Sequence, residues 1–131
     1  MKKEFQNAIE DSPVIAAINS LEGLEKALTC ESRIIFILFG DICNIADIVA
    51  RVKSAGKIAM VHIDLILGLA PKEIAVDFIH QCTQADGIIS TKNRVLETAR
   101  RNHTATILRL FLIDTKSLDK GVALIDSLRP D

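Results

Sequence analysis

Lys57-Ile58-Ala59-Met60-Val61-His62-Ile63-Asp64-Leu65-Ile66-Leu67-Gly68 follows Gly56, a good helix C-cap, and its apolar block is short and rich in β-branched residues. Too short for a globular helix, it reads as a strand buried on both faces, the pattern of a parallel sheet. Side chains alternate along a strand, so His62 and Asp64 share a face with Met60, while Val61, Ile63 and Leu65 take the other. Both polar residues fall toward the strand's C-terminal end, where ligands bind in barrels and open α/β sheets. A buried histidine satisfied by its neighbour and a functional pair fit this pattern equally well.

Working outward toward the N-terminus, the region near Phe5 to Ile9 suits a short helix stopped by Ser12-Pro13. Val14 to Ile18 is a short strand, and Asn19 or Ser20 caps a helix from about Leu21 to Leu28. Arg33 to Asp41 is a buried strand ending in a Gly40-Asp41 turn; its helix carries Ile45, Ile48, Val49 and Val52 at helical spacing. Toward the C-terminus, Gly68 to Pro71 makes a loop, and Ile74, Ala75, Phe78, Ile79 and Cys82 form a helical stripe. Ala85 to Thr91 is a fourth strand, and Lys92-Asn93 opens a helix through Val95, Leu96 and Ala99. Thr104 to Asp114 is a fifth strand, and a last helix runs through Leu118, Val122, Leu124, Ile125 and Leu128.

The fold class is therefore α/β, five βα units with right-handed crossovers and a parallel sheet. An open doubly wound sheet and an arc of a TIM-type barrel both satisfy that pattern. Placing His62, Asp64 and Arg109 on one strand face favours the arc, because a helix-covered face is apolar throughout. The expectation is one incomplete domain over residues 1–131, about five of eight barrel units. Its strands run in sequential order with every helix outside, and Arg109 and the His62/Asp64 pair face inward. Two open edges and a bare inner face favour association, so a homo-oligomer is expected.

Composition narrows the function. The chain has 131 residues, 49% of them hydrophobic, with no Trp or Tyr and a formal charge of −1. That suits one aliphatic core and supplies no global field toward nucleic acid. Cys30, Cys43 and Cys82 are odd in number without C-x-x-C spacing, which argues against a disulfide framework or a zinc finger. Met1-Lys2-Lys3-Glu4 opens no signal peptide and no apolar run has membrane-spanning length, so a cytoplasmic location is expected. There is no G-x-G-x-x-G, P-loop or G-x-S-x-G, and His62, Asp64, His80 and His103 lack a metal-ligand spacing. No metal or catalytic residue is assigned.

Polar residues at strand ends remain as candidates: Asp41, His62, Asp64, Ser90, Thr91, Arg109 and Asp114. Arg109 sits inside an apolar run, and a buried guanidinium needs an anion, either an internal carboxylate such as Asp64 or a bound phosphate. Lys92 is placed to reach a phosphate or to be a solvated first-turn lysine. On the fourth-unit helix, Lys92, Arg94, Arg100, Arg101 and His103 make a basic run, read as an RNA patch or as a solvated face.

Three segments carry a family resemblance: Met60 to Leu69, Gly87 to Lys92, and Leu108 to Asp114. With Pro13 to Ile18 and Leu38 to Ile42, they resemble the glycerol-3-phosphate-responsive antiterminator family, the glycerol uptake operon regulators of bacteria. The resemblance implies a (β/α)8 barrel that senses glycerol 3-phosphate, binds the leader mRNA of glycerol-utilisation genes and prevents early termination. It matches His62, Asp64, Ser90, Thr91, Lys92 and Arg109 to family motif residues, read here as ligand-binding, with no cofactor. Arg94, Arg100 and Arg101 are read as RNA contacts. The family continues past a segment like Arg129-Pro130-Asp131 into further βα units; this sequence stops there. The competing readings are a barrel enzyme on a phosphorylated small molecule, with His62 and Asp64 as acid/base pair, and a phosphate sensor working through a protein partner.

Overall fold

The computed structural model describes residues 2–131. Strands β1 (Ala16–Ile18), β2 (Ile34–Ile37), β3 (Ile58–His62), β4 (Gly87–Ser90) and β5 (Ala105–Leu108) form one sheet in sequential order. Every pairing is parallel, with Ile35 opposite Ala16 and Ala59, Met60 opposite Gly87, and Gly87 opposite Ala105. The sheet is open, with β1 and β5 at its edges. Sequential order with parallel pairing is the barrel-type arc, not the doubly wound order.

Helices α2 (Leu21–Leu28), α3 (Ile45–Ser54), α4 (Glu73–Cys82) and α5 (Asn93–Arg101) pack on the outer face. There Leu24, Ile48, Val49, Val52, Val76, Ile79, Val95 and Leu96 meet Ile35, Ile37, Ala59, Val61 and Ile88 in one core. Ser20 starts α2 by accepting from the Gly23 amide at 3.0 Å, a serine N-cap. In α4 the buried stripe is Ala75, Val76 and Ile79, whereas Ile74, expected in it, is 71% exposed. It lines a groove beside the start of α5 instead.

One helix departs from the expected layering. Helix α1 (Lys2–Asp11) covers the inner face instead of the outer. Its Phe5 and Ala8 are buried against Ile34, Met60, Ile89 and Ala105. Burying a side chain such as Phe5 contributes about 1.5–3 kcal/mol, so α1 shields an apolar surface that the open arc otherwise exposes. Gly87 makes that layer thin: a Cβ there would sit 2.5 Å from the Ala105 carbonyl and 2.6 Å from Met60 Cε. Only glycine lets the Met60 side chain lie across β4.

The fifth unit is shorter than its apolar run. Strand β5 ends at Leu108, and Phe111, Leu112 and Ile113 are 60%, 61% and 86% exposed. Helix α6 (Thr115–Leu128) starts with a capping box between Asp114 and Ser117. Yet Leu118, Val122 and Ile125 of its apolar stripe are exposed, and its buried residues are Gly121 and Leu128. Among the described residues no strand flanks β5 on its far side; the Arg109 amide still donates to the Ser90 carbonyl of β4 at 3.0 Å, and past it the chain turns away from the sheet.

Two aspartates repeat one local device. Asp86, just before β4, accepts from the Ala59 amide at 2.9 Å and returns its own amide to the Ala59 carbonyl at 2.9 Å. Its carboxylate is also held by Lys53 at 2.8 Å. Asp131 accepts from the Thr106 amide at 3.0 Å, so it stands to β5 as Asp86 stands to β3. No described helix is long and apolar enough to cross a membrane.

Candidate functional site

Strand parity places His62, last residue of β3, on the inner face beyond the part that α1 covers. It is 1% exposed. Its Nε2 lies 3.1 Å from Arg109 Nη1. Arginine has only donors, so Nε2 must accept and the ring proton sits on Nδ1. That Nδ1 is buried and has no hydrogen-bond partner among the described residues. Burial holds the imidazole pKa below its ordinary value; the Arg109 charge adds to this, while Asp64 and the His62 backbone pull the other way. His62 is thus a neutral, buried imidazole with an unused donor.

Arg109 is one residue past β5, with the same parity as Ile107. Contrary to the sequence expectation it is exposed, not buried within a strand. Its guanidinium stacks 5.0 Å from the Phe111 ring centroid, a cation–π contact. No carboxylate among the described residues pairs with it, so the internal ion pair with Asp64 does not form. His62 and Arg109 line a cavity of ≈ 330 Å³ with Phe36, Leu38, Ile89, Ile107 and Leu108. Those apolar walls were not among the candidates read from the sequence, although the alternation of β2 and β5 puts Phe36 and Ile107 on the face of His62.

Asp64 belongs to a different structure. The strand period expected through Leu65 stops at His62, and Ile63–Leu65 form a single 3₁₀ turn. That turn swings Asp64 toward the end of β4. There it accepts from the Ser90 hydroxyl at 2.6 Å, the Thr91 hydroxyl at 2.5 Å and the Thr91 amide at 3.0 Å. Ser90 Oγ in turn accepts from the Lys92 amide at 3.0 Å. Burial pushes the Asp64 carboxyl pKa up, but the bonds from Ser90 and Thr91 together outweigh it and hold the pKa below its ordinary value. The network is closed: its carboxylate oxygens are occupied and Ser90 is fully buried. The hydrogen-bonded His62–Asp64 pair that an acid/base mechanism would use is not formed.

The remaining candidates are dispersed. Lys92 is exposed and lines a groove of ≈ 690 Å³ between the starts of α4 and α5, with Lys72, Arg94 and Ile74. Among the described carboxylates Arg94 approaches Glu73, at 4.0 Å. Arg100 and Arg101 lie at the other end of α5, where Arg100 donates to the Leu128 carbonyl. Asp41 makes a local turn, accepting from the Cys43 and Asn44 amides at 2.8 and 2.9 Å. No group of three His, Cys, Asp or Glu able to hold a metal occurs among the described residues.

Comparison with known proteins adds a lineage to this geometry. A family model described as glycerol-3-phosphate responsive antiterminator matches residues 14–131. The uncharacterised Escherichia coli K12 protein YgcP is 42% identical over 118 residues, 88% of this chain and 62% of its own length. The crystal structure of a glycerol uptake operon antiterminator regulatory protein from Listeria monocytogenes superposes with a TM-score of 0.84 at 32% identity. The match covers 88% of this chain and 63% of that one. A glycerol uptake operon antiterminator-related protein from Thermotoga maritima gives 0.80 at 30% identity, covering 89% and 66%. This chain therefore spans less than two thirds of these relatives' lengths, 62%, 63% and 66%.

Proposed function

The chain belongs to the glycerol-3-phosphate responsive antiterminator family, and from that premise we propose that it is a cytoplasmic RNA-binding regulator controlled by glycerol 3-phosphate. The observation that carries the ligand half is the His62–Arg109 pair. It combines an exposed guanidinium that no described carboxylate neutralises with a buried imidazole bearing an unpaired donor. A phosphomonoester dianion matches the guanidinium, whose fork grips phosphate oxygens bidentately, and the imidazole presents Nε2 beside it. In this reading the glycerol carbons lie along Leu38 and Ile107, and the phosphate takes Arg109 from His62.

Asp64, Ser90 and Thr91 then serve the ligand indirectly. They fix the β4–α5 turn beside the pocket, and Lys92 follows that turn outward. The RNA half draws on the basic residues of α5, Arg94, Arg100 and Arg101, as phosphate contacts for a leader transcript.

A gel shift with a leader transcript of a glycerol-utilisation operon tests the proposal. We expect a retarded band that strengthens when glycerol 3-phosphate is added. No band with or without the ligand would contradict it.

A further inference from the structure

Helices α4 and α5 begin side by side, and the N-cap of each is a lysine, Lys72 and Lys92, with no side-chain cap bond. Elsewhere Ser20 caps α2 and Asp114 caps α6. Lysine is a poor cap because its side chain has no acceptor. Both lysines and Arg94 line the ≈ 690 Å³ groove, with Glu73 its one carboxylate. The balance there is positive in a chain whose net charge is −1. Arg94 has an 86% exposed side chain and only a 4.0 Å approach to Glu73. Pro71 and Ile74, the latter 71% exposed, add an apolar step beside the cations. Thr91 lines the same groove while Asp64 holds its hydroxyl and amide, so Lys92 enters from a fixed turn.

We propose that this groove is the track for the RNA, with Lys72, Lys92 and Arg94 holding successive phosphates and Ile74 meeting the face of a base. Charge complementarity selects a polyanion as the occupant, and the apolar step suits an unpaired strand whose bases are free to turn toward protein. The proposal rests on the RNA-binding reading above and narrows it. It adds Lys72, moves Lys92 from the ligand to the RNA, and leaves Arg100, tied to the Leu128 carbonyl, at the far end of α5.

The test is fluorescence anisotropy of a labelled leader transcript at saturating glycerol 3-phosphate, across a salt series. The Lys72→Glu/Arg94→Glu variant leaves Lys92 in place, and circular dichroism confirms that it folds. We expect it to bind at least tenfold more weakly, with a log–log salt slope shallower by about 0.7 for each phosphate that is no longer neutralised. Lys26→Glu on α2, a reversal of charge on another face, should bind as the wild type. Wild-type affinity in the groove variant would overturn the groove, as would weakening only in Arg100→Glu/Arg101→Glu. A wild-type protein that binds no RNA would fail the broader reading, and the groove with it.

Discussion

Asp64 and His62 are two residues apart in sequence and lie at the same end of the sheet, but their surroundings differ in one respect. Asp64 accepts three hydrogen bonds from the turn after β4. His62 has one side-chain hydrogen-bond neighbour among the described residues, the exposed Arg109, and a buried nitrogen with no partner there. A buried polar group without a partner costs about 1–3 kcal/mol, and a satisfied one does not. Asp64 therefore offsets its burial as architecture. His62 keeps that cost at Nδ1 while its Nε2 faces Arg109, and on this contrast we propose the His62–Arg109 cavity as the site and the Asp64 network as its frame.

The contrast breaks most visibly at Asp64. Asp64→Ala strands the Ser90 and Thr91 donors, and the expected drop is about 3 kcal/mol of unfolding free energy. Urea unfolding followed by circular dichroism measures it, and a drop below about 1 kcal/mol would remove Asp64 from the frame. Arg109→Ala should behave oppositely. Stability should change by less than about 1 kcal/mol, as at exposed positions generally. Glycerol 3-phosphate affinity by calorimetry should fall at least tenfold, about 1.4 kcal/mol.

The smallest effect sharpens the comparison through pH. His62 has a folded-state pKa below its unfolded value. The unfolded chain therefore binds the extra proton first. Its contribution to stability is complete above about pH 6.5 and is lost as the pH falls from there toward the folded value. One proton limits the slope to about 1.4 kcal/mol per pH unit. Asp64, also lowered, contributes fully above about pH 3.9, so it leaves this window flat. Unfolding curves between pH 5 and 7 should lose this slope in His62→Phe; an unchanged slope would assign it to another group.

Much of this was legible in the sequence. The apolar blocks of Ile34 to Ile37 and Ile58 to His62, separated by helical stripes, pointed to the parallel sheet, its order and the inward side of His62. Periodicity could not say where α1 goes. The pattern around Phe5 and Ala8 marks which side of the helix is apolar, not which side of the sheet it covers. Asp64 was misplaced because Ile63, Leu65 and Ile66 continue the apolar composition after the strand has become a 3₁₀ turn. Arg109 faces the inner side beside His62 as expected, but its burial was misread for the same kind of reason. Composition continues through Phe111 to Ile113, but with no neighbour strand beyond β5 among the described residues the chain leaves the sheet at Leu108. The groove between α4 and α5 was hidden because Lys72 and Lys92 are far apart in sequence and meet only once two helices start side by side.

Two-dimensional NMR on the isotope-labelled chain, titrated with glycerol 3-phosphate, tests the division between site and frame most directly. The expected result is a large, saturable shift of the His62 imidazole signals, while the Thr91 amide keeps the signature of its bond to Asp64. Shifts centred on Thr91 with His62 unmoved, or no shift at either, would contradict that division.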